Sequence, residues 1–79
     1  MILEDHDGET VYVNLNHLMR KPIAVIEMAY DDEDNECTRV VYADETKTYL
    51  YISNDSNTAL CKAVDEMYDK MYDKSWNEN

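Results

Sequence analysis

Short segments in which apolar and polar residues alternate make up much of the first 52 positions of the chain. In TVYVNL, residues 10–15, every second residue is apolar. A period of two residues is typical of a β-strand that buries one face. The Asp7-Gly8 pair favours a tight turn, which would pair this segment with the start of the chain as a hairpin. On the same grounds we predict strands at about 1–4, 10–15, 23–30, 37–42 and 47–52.

The spacing of apolar residues changes to that of a helix after residue 52. Residues 53–57, SNDSN, are a cluster of the side chains that prefer the N-cap of a helix. The apolar residues that follow at the spacing of one helix face are Leu60, Val64, Met67 and Met71. We predict a helix over about 57–74, with these four residues as its buried stripe, and a short polar tail over 75–79.

Together these elements predict an α+β fold in one domain, residues 1–79. Three successive strands with short connections indicate an antiparallel meander, and the first hairpin would complete a sheet of four to five strands. The C-terminal helix would pack on one face of this sheet. The segment 16–22 is expected to form a short turn of helix or a loop, because Pro22 disfavours helix in the residue before it.

The net charge of the chain narrows the range of partners. Eighteen acidic residues against seven basic ones give a formal charge of −11. Such a charge repels nucleic acid phosphates and anionic lipids, so we expect no direct binding to nucleic acid or to a membrane. It favours a basic protein partner and rapid, electrostatically steered association with it. The alternative is that the acidity serves only to keep the protein soluble.

A four-residue unit, MYDK, is written twice in residues 67–74. Because a helix advances 100° per residue, each residue type of the repeat stays on its own side of the helix. Tyr68 and Tyr72 are predicted on one shoulder of the apolar stripe. The outward side would carry a row of carboxylates about 6 Å apart, formed by Asp65, Asp69 and Asp73. This row is either an ordinary solvated face or a contact for a basic groove, and the flanking tyrosines favour the contact.

A second concentration of acids lies in DDEDNE, residues 31–36. The loop does not match a calcium-binding EF-hand, which needs Gly at its sixth position and Glu at its twelfth. Weak surface binding of cations, or a solvated hairpin loop that blocks edge pairing, remain as interpretations. In a third interpretation the loop joins the helix row as a surface that imitates nucleic acid phosphates. The acids nominated for this surface, besides the helix row, are Asp31, Asp32, Glu33, Asp34, Glu36, Asp44 and Glu45.

The chain shows no pattern of an enzyme, a cofactor site or a metal site. Cys37 and Cys61 fit no metal spacing and are expected to be small, buried or half-buried thiols in a reducing cell. A disulfide between the two is the alternative. His6 and His17 have no ligand partners at metal spacing, and no nucleophile motif or Gly-rich loop accompanies them. We therefore predict no catalytic residue, no cofactor and no bound metal. The chain contains no long apolar run, which favours a cytoplasmic protein.

Two resemblances bear on these predictions. The chain runs from TVYVNLNHL through a strand, an acidic turn and RVVYADETKTYLYI to a helix. This order of elements resembles that of the small flagellar proteins of the FlbD type. The long acidic loop and the acidic helix depart from that pattern, so no function is transferred. In size, charge and tyrosine content the chain resembles small inhibitors made by phages and mobile elements, including anti-CRISPR proteins and other DNA mimics.

The resemblance to phage inhibitors implies a function of the same kind. The chain would be a non-enzymatic acidic binding protein that occupies a basic groove of a nucleic-acid-handling protein. The alternative is a structural or regulatory interaction module, such as a homodimer that forms through an uncovered sheet face bearing Tyr49 and Tyr51.

Overall fold

The computed structural model of the chain describes residues 1–77, with the side chains of residues 1–71. Its class is α+β, as predicted, and the five strands overlap the five predicted segments. In chain order the elements are β1 (Ile2–Glu4), β2 (Thr10–Tyr12), α1 (Leu15–Leu18), β3 (Ile23–Tyr30), β4 (Glu36–Tyr42), β5 (Lys47–Leu50) and α2 (Asn54–Asn77).

The strands form two antiparallel sheets, whereas the sequence predicted one sheet of four to five strands. β1 and β2 pair as a hairpin, and β3, β4 and β5 form a separate meander in that order. The start of α2 and the residue before it take up part of the free edge of β1. At Glu4 in β1, the backbone N–H donates to the hydroxyl of Ser56 (2.9 Å) and the carbonyl accepts from the N–H of Ser53 (2.8 Å).

One hydrophobic cluster joins the hairpin, the meander and both helices. α2 contributes Leu60 and Val64, and β4 contributes Val40 and Tyr42. Leu60 and Val40 are fully buried, so α2 covers the face of the meander on which Val40 lies. The other buried members of the cluster are Leu3, Val13, Leu18 and Ile52.

The opposite face of the meander has no helix over it in the described part of the chain. Its residues alternate with the core residues along each strand, and one cross-strand row consists of Glu27, Arg39 and Tyr49. Arg39 Nε donates to Glu27 Oε2 at 2.7 Å in the middle of this face. Val25 and Tyr49 remain 46% and 43% exposed there. We call this surface the open sheet face.

α2 begins three residues before the predicted start and extends past the predicted end. Ser53 caps it, since its hydroxyl accepts from the N–H of Ser56 at 3.2 Å. Leu60 and Val64 are buried as predicted, but Met71 is 60% exposed. The prediction for Met71 was wrong because the helix passes the end of the meander: the Tyr68 hydroxyl already accepts a hydrogen bond from the first N–H of β3, that of Ile23 (2.9 Å).

Candidate functional site

Two acidic hairpin turns of the chain are built in the same way. In the β1–β2 turn, Asp5 Oδ1 accepts 2.9 Å hydrogen bonds from the N–H groups two and four residues further on. Asp31 does the same in the β3–β4 turn, also at 2.9 Å. The fourth residue of each turn is left-handed, with φ of 83° at Gly8 and 63° at Asp34. Each turn therefore holds a fixed shape and keeps its remaining carboxylates at the surface.

The two turns meet at one end of the molecule. The Nε2–H of His6 in the first turn donates to the backbone carbonyl of Glu36, at the start of β4, at 3.2 Å. We call residues 4–9 and 31–36 the acidic end. These two segments hold nine of the eighteen acidic residues of the chain and no Lys or Arg. The contact thus merges two short acidic sequences into one negative surface.

The hydrogen bonds of Asp31 keep it ionised and hold a tyrosine beside it. The N–H of Asn35 is the main cause that lowers the pKa of Asp31, with smaller contributions from Glu33 N–H and the Tyr51 hydroxyl. That hydroxyl donates to Asp31 Oδ2 at 3.0 Å, and the same bond raises the pKa of Tyr51. Asp31 is therefore a fixed negative charge at neutral pH, and Tyr51 stays protonated.

Three carboxylates of the β3–β4 turn point into solvent. Asp32, Glu33 and Asp34 are exposed, and their side chains make no hydrogen bond or ion pair within the described part of the chain. Among the described side chains, no three or more of His, Cys, Asp or Glu are grouped so that they could hold a metal ion. The carboxylates are spread over a surface and do not converge on a point.

Asp44 and Glu45 lie far from the acidic end, although the sequence analysis placed them on the same surface. They occupy the β4–β5 turn, at the other end of β4, which is about 20 Å away for a strand of this length. Asp44 is also partly neutralised, since Lys21 Nζ lies 3.2 Å from its Oδ2. Hydrogen bonds from Thr46, with a contribution from Lys21, lower the pKa of Asp44 to about 2.

The predicted carboxylate row on α2 is present in the described residues. Asp65 and Asp69 are exposed, and neither makes an ion pair or a side-chain hydrogen bond with another described residue. They lie one helical turn apart, about 6 Å along the axis. The side chains of Asp73 and Tyr72 lie outside the described residues.

Tyr68 has a role within the fold. It is half-buried against the core, and its hydroxyl accepts the hydrogen bond from Ile23 N–H. This tyrosine fixes α2 to the beginning of β3, and less of it is available to a partner than the sequence analysis expected.

The acids of the first turn also belong to this surface, although the sequence pattern did not predict it: Glu4, Asp5, Asp7 and Glu9. A signal for them was present, because EDHDGE is a second acidic hairpin turn of the same length as DDEDNE. What no pattern showed was the contact that brings the two turns together.

Comparison with known proteins gives no relative from which a function could be taken. Neither a family model, nor a curated protein, nor a solved structure matches the chain. Within the described residues, no helix combines the length and the apolar character needed to cross a membrane. Both cysteines are free thiols, with Cys37 buried and Cys61 half-buried.

Proposed function

We propose that this chain is a non-enzymatic acidic binding protein that docks through its acidic end onto a basic protein surface. The observation that carries the proposal is the meeting of the two acidic turns at His6 and Glu36, with no Lys or Arg in either turn. Concentrated like charge on one side of a small domain creates a field that steers a cationic partner towards that side.

The charge distribution supports a partner bound from outside the chain. In the described residues only two carboxylates, Glu27 and Asp44, form ion pairs with a lysine or arginine, and neither belongs to the acidic end. Like charges held close together oppose folding, so a surface that leaves them unpaired gains when a cationic partner covers it. The partner we propose is a basic groove of a nucleic-acid-handling protein, since such grooves concentrate Lys and Arg along a phosphate path.

Acid–base contacts alone would not make a stable complex. An exposed ion pair contributes about 0.2–1 kcal/mol, whereas micromolar affinity needs about 8 kcal/mol. Apolar contact must supply part of the difference. The open sheet face adjoins the acidic end through Tyr51, which Asp31 holds, and this face also offers Tyr49. Tyrosines next to a charged surface are common where interfaces gain their energy.

A chain that fills a basic groove in this way would exclude nucleic acid and so act as an inhibitor. This is the behaviour of the small phage proteins that the chain resembles in composition, and it would place the chain in the cytoplasm. Asp65 and Asp69 form a second, smaller negative surface on α2, which could extend the contact along a groove.

The test begins with partners retained on the immobilised chain and eluted with rising salt. A purified partner is then mixed with fluorescent duplex DNA, and displacement of the DNA by the chain is followed by anisotropy. We expect displacement at low salt and a steep loss of affinity as salt rises, because salt screens exposed charges. Binding that is equal at low and high salt, or DNA that stays bound beside the chain, would contradict the proposal.

Matched charge reversals locate the contact. One variant carries Asp32→Lys and Glu33→Lys in the acidic end, and the other carries Asp65→Lys and Asp69→Lys on α2. Each variant changes the net charge by the same amount at exposed positions without side-chain hydrogen bonds. We expect the first to weaken binding more than the second. A larger effect of the α2 pair would assign the contact to the helix row.

The open sheet face supports a second candidate function, a homodimer. Val25 and Tyr49 are exposed on it and no described element covers them. In that case sedimentation should show a dimer that Val25→Lys dissociates, while the charge reversals on α2 leave it intact. A monomer at all accessible concentrations would remove this candidate.

A further inference from the structure

A small cleft lies where the acidic end meets the open sheet face. Its volume is about 230 Å³, and it is lined by Tyr30, Asp31, Asp32, Tyr49 and Tyr51. Tyr49 and Tyr51 are 43% and 48% exposed. Aromatic side chains beside carboxylates attract a cation in two ways, through the negative ring faces and through the charge.

The same combination of groups already holds a cation elsewhere in this molecule. At the opposite end of β4, Lys21 Nζ lies 4.7 Å from the centroid of the Tyr42 ring and 3.2 Å from Asp44 Oδ2. The guanidinium carbon of Arg20 lies 5.5 Å from the centroid of that ring. These are the only cation–ring contacts among the described side chains, so no cation of the chain itself lies over a ring of the cleft.

The two aspartates of the cleft have different roles in binding a cation. The carboxylate of Asp31 already accepts from Glu33 N–H, Asn35 N–H and the Tyr51 hydroxyl. It supplies charge and holds the Tyr51 ring in place. Asp32 is exposed and its carboxylate has no hydrogen bond within the described residues, which leaves it able to accept hydrogen bonds from a ligand.

We propose that this cleft receives an arginine side chain of the basic partner, with the guanidinium against the Tyr49 ring and hydrogen-bonded to Asp32. Arginine fits better than lysine because its planar, weakly hydrated group can stack on a ring and donate to a carboxylate at the same time. Arg39 of the chain itself is bound to Glu27, and it also hydrogen-bonds to the side chain of Tyr49, so that it borders this ring without lying over its face. The assignment rests on the proposed function, because it names one contact of the same surface.

The test measures binding of a fluorescent nona-arginine peptide to the full chain by anisotropy, at low and moderate salt. Tyr49→Leu removes the ring, and Tyr12→Leu is the matched control at a tyrosine that is 75% exposed on the β1–β2 hairpin. We expect Tyr49→Leu to weaken binding about two- to fivefold, the range of an exposed cation–ring contact. Tyr12→Leu should have no effect, and Tyr49→Phe, which keeps the ring, should bind as the unaltered chain does.

A second pair of variants tests the carboxylate. Asp32→Asn and Asp7→Asn remove one charge each from the acidic end, and only Asp32 lines the cleft. We expect the larger loss from Asp32→Asn. Nona-lysine should bind more weakly than nona-arginine, and Tyr49→Leu should reduce its affinity by a smaller factor.

The outcomes separate this inference from the proposed function. If the unaltered chain binds nona-arginine but Tyr49→Leu and Asp32→Asn behave like their controls, the cleft is not an arginine site. The proposal that the chain docks through its acidic end would still stand. The choice of arginine over lysine would be overturned if nona-lysine bound as tightly as nona-arginine and lost the same affinity in both variants. If the peptide does not bind at low salt, the proposed function fails together with the inference.

Discussion

The buried hydroxyl of Tyr42 gives a sharp test of how the two halves of the fold are joined. Tyr42 is 1% exposed, at the end of β4. Its hydroxyl donates to the carbonyl of Leu18 at 2.7 Å and accepts from the Thr48 hydroxyl at 3.4 Å. Leu18 ends α1, so this bond connects the meander to the segment that follows the first hairpin.

Replacing Tyr42 with Phe removes the hydroxyl and keeps the ring. The Leu18 carbonyl then loses a buried donor, which costs about 1–2 kcal/mol. A domain of 79 residues has a total stability on the order of 8 kcal/mol at about 0.1 kcal/mol per residue. The variant should therefore still fold at room temperature. For a domain of this size each kcal/mol lowers Tm by about 4–8 °C.

Urea unfolding and thermal unfolding, both followed by circular dichroism, measure the loss. Tyr12→Phe is the control, because Tyr12 is largely exposed and its hydroxyl makes no hydrogen bond with a described residue. It should change the free energy of unfolding by less than about 0.5 kcal/mol. The reasoning fails if Tyr42→Phe is as stable as the unaltered chain, or if both variants lose the same amount.

Two further predictions concern stability. Leu60→Ala should cost about 2–5 kcal/mol, because the side chain is fully buried, while Met71→Ala, at an exposed position, should cost little; equal losses in urea unfolding would show that the helix is packed differently. Hydrogen bonds from Thr46 depress the folded-state pKa of Asp44 from 3.8 to about 2, so the stability that this carboxylate contributes is present above pH 4 and is lost as the pH falls towards 2. The free energy of unfolding of Asp44→Asn should depend less on pH over that interval, and an unchanged slope would contradict the assignment.

The secondary structure could be predicted from the sequence because each element carries a local pattern. The alternation in TVYVNL and KTYLYI and the stripe through Leu60 and Val64 depend only on which residues face the core. The division into two sheets has no local signal, because it depends on how distant segments meet, as Ser53 and Ser56 meet Glu4 about fifty residues away in the chain. Met71 was misplaced for a related reason, because helical periodicity does not show where the meander ends.

The turns show a second limit of sequence patterns. Gly8 predicts the first hairpin turn, because glycine adopts a left-handed backbone conformation at no steric cost. Asp34 and Glu45 take the same left-handed conformation, with φ of 63° and 74°, and neither is a glycine. The three hairpin turns thus have different residues at the left-handed position, and only the first has a glycine there that the sequence shows.

The candidate site was predicted in part. The exposed row of Asp65 and Asp69 followed from helical geometry, and the acidic loop at 31–36 followed from composition. The acidic end needed the contact between His6 and Glu36, which are thirty residues apart. The separation of Asp44 from that end follows from antiparallel topology, because successive hairpin turns lie at opposite ends of the strand that they share.

The measurement that tests the central claim most directly is a map of backbone amide chemical shifts on titration with nona-arginine. Binding at the acidic end predicts that the amides of residues 4–9 and 31–36, with those of Tyr49 and Tyr51, shift first and saturate together, while the amides around Asp65 and Asp69 move little. Shifts that are spread evenly over every acidic segment, or centred on α2, would contradict it.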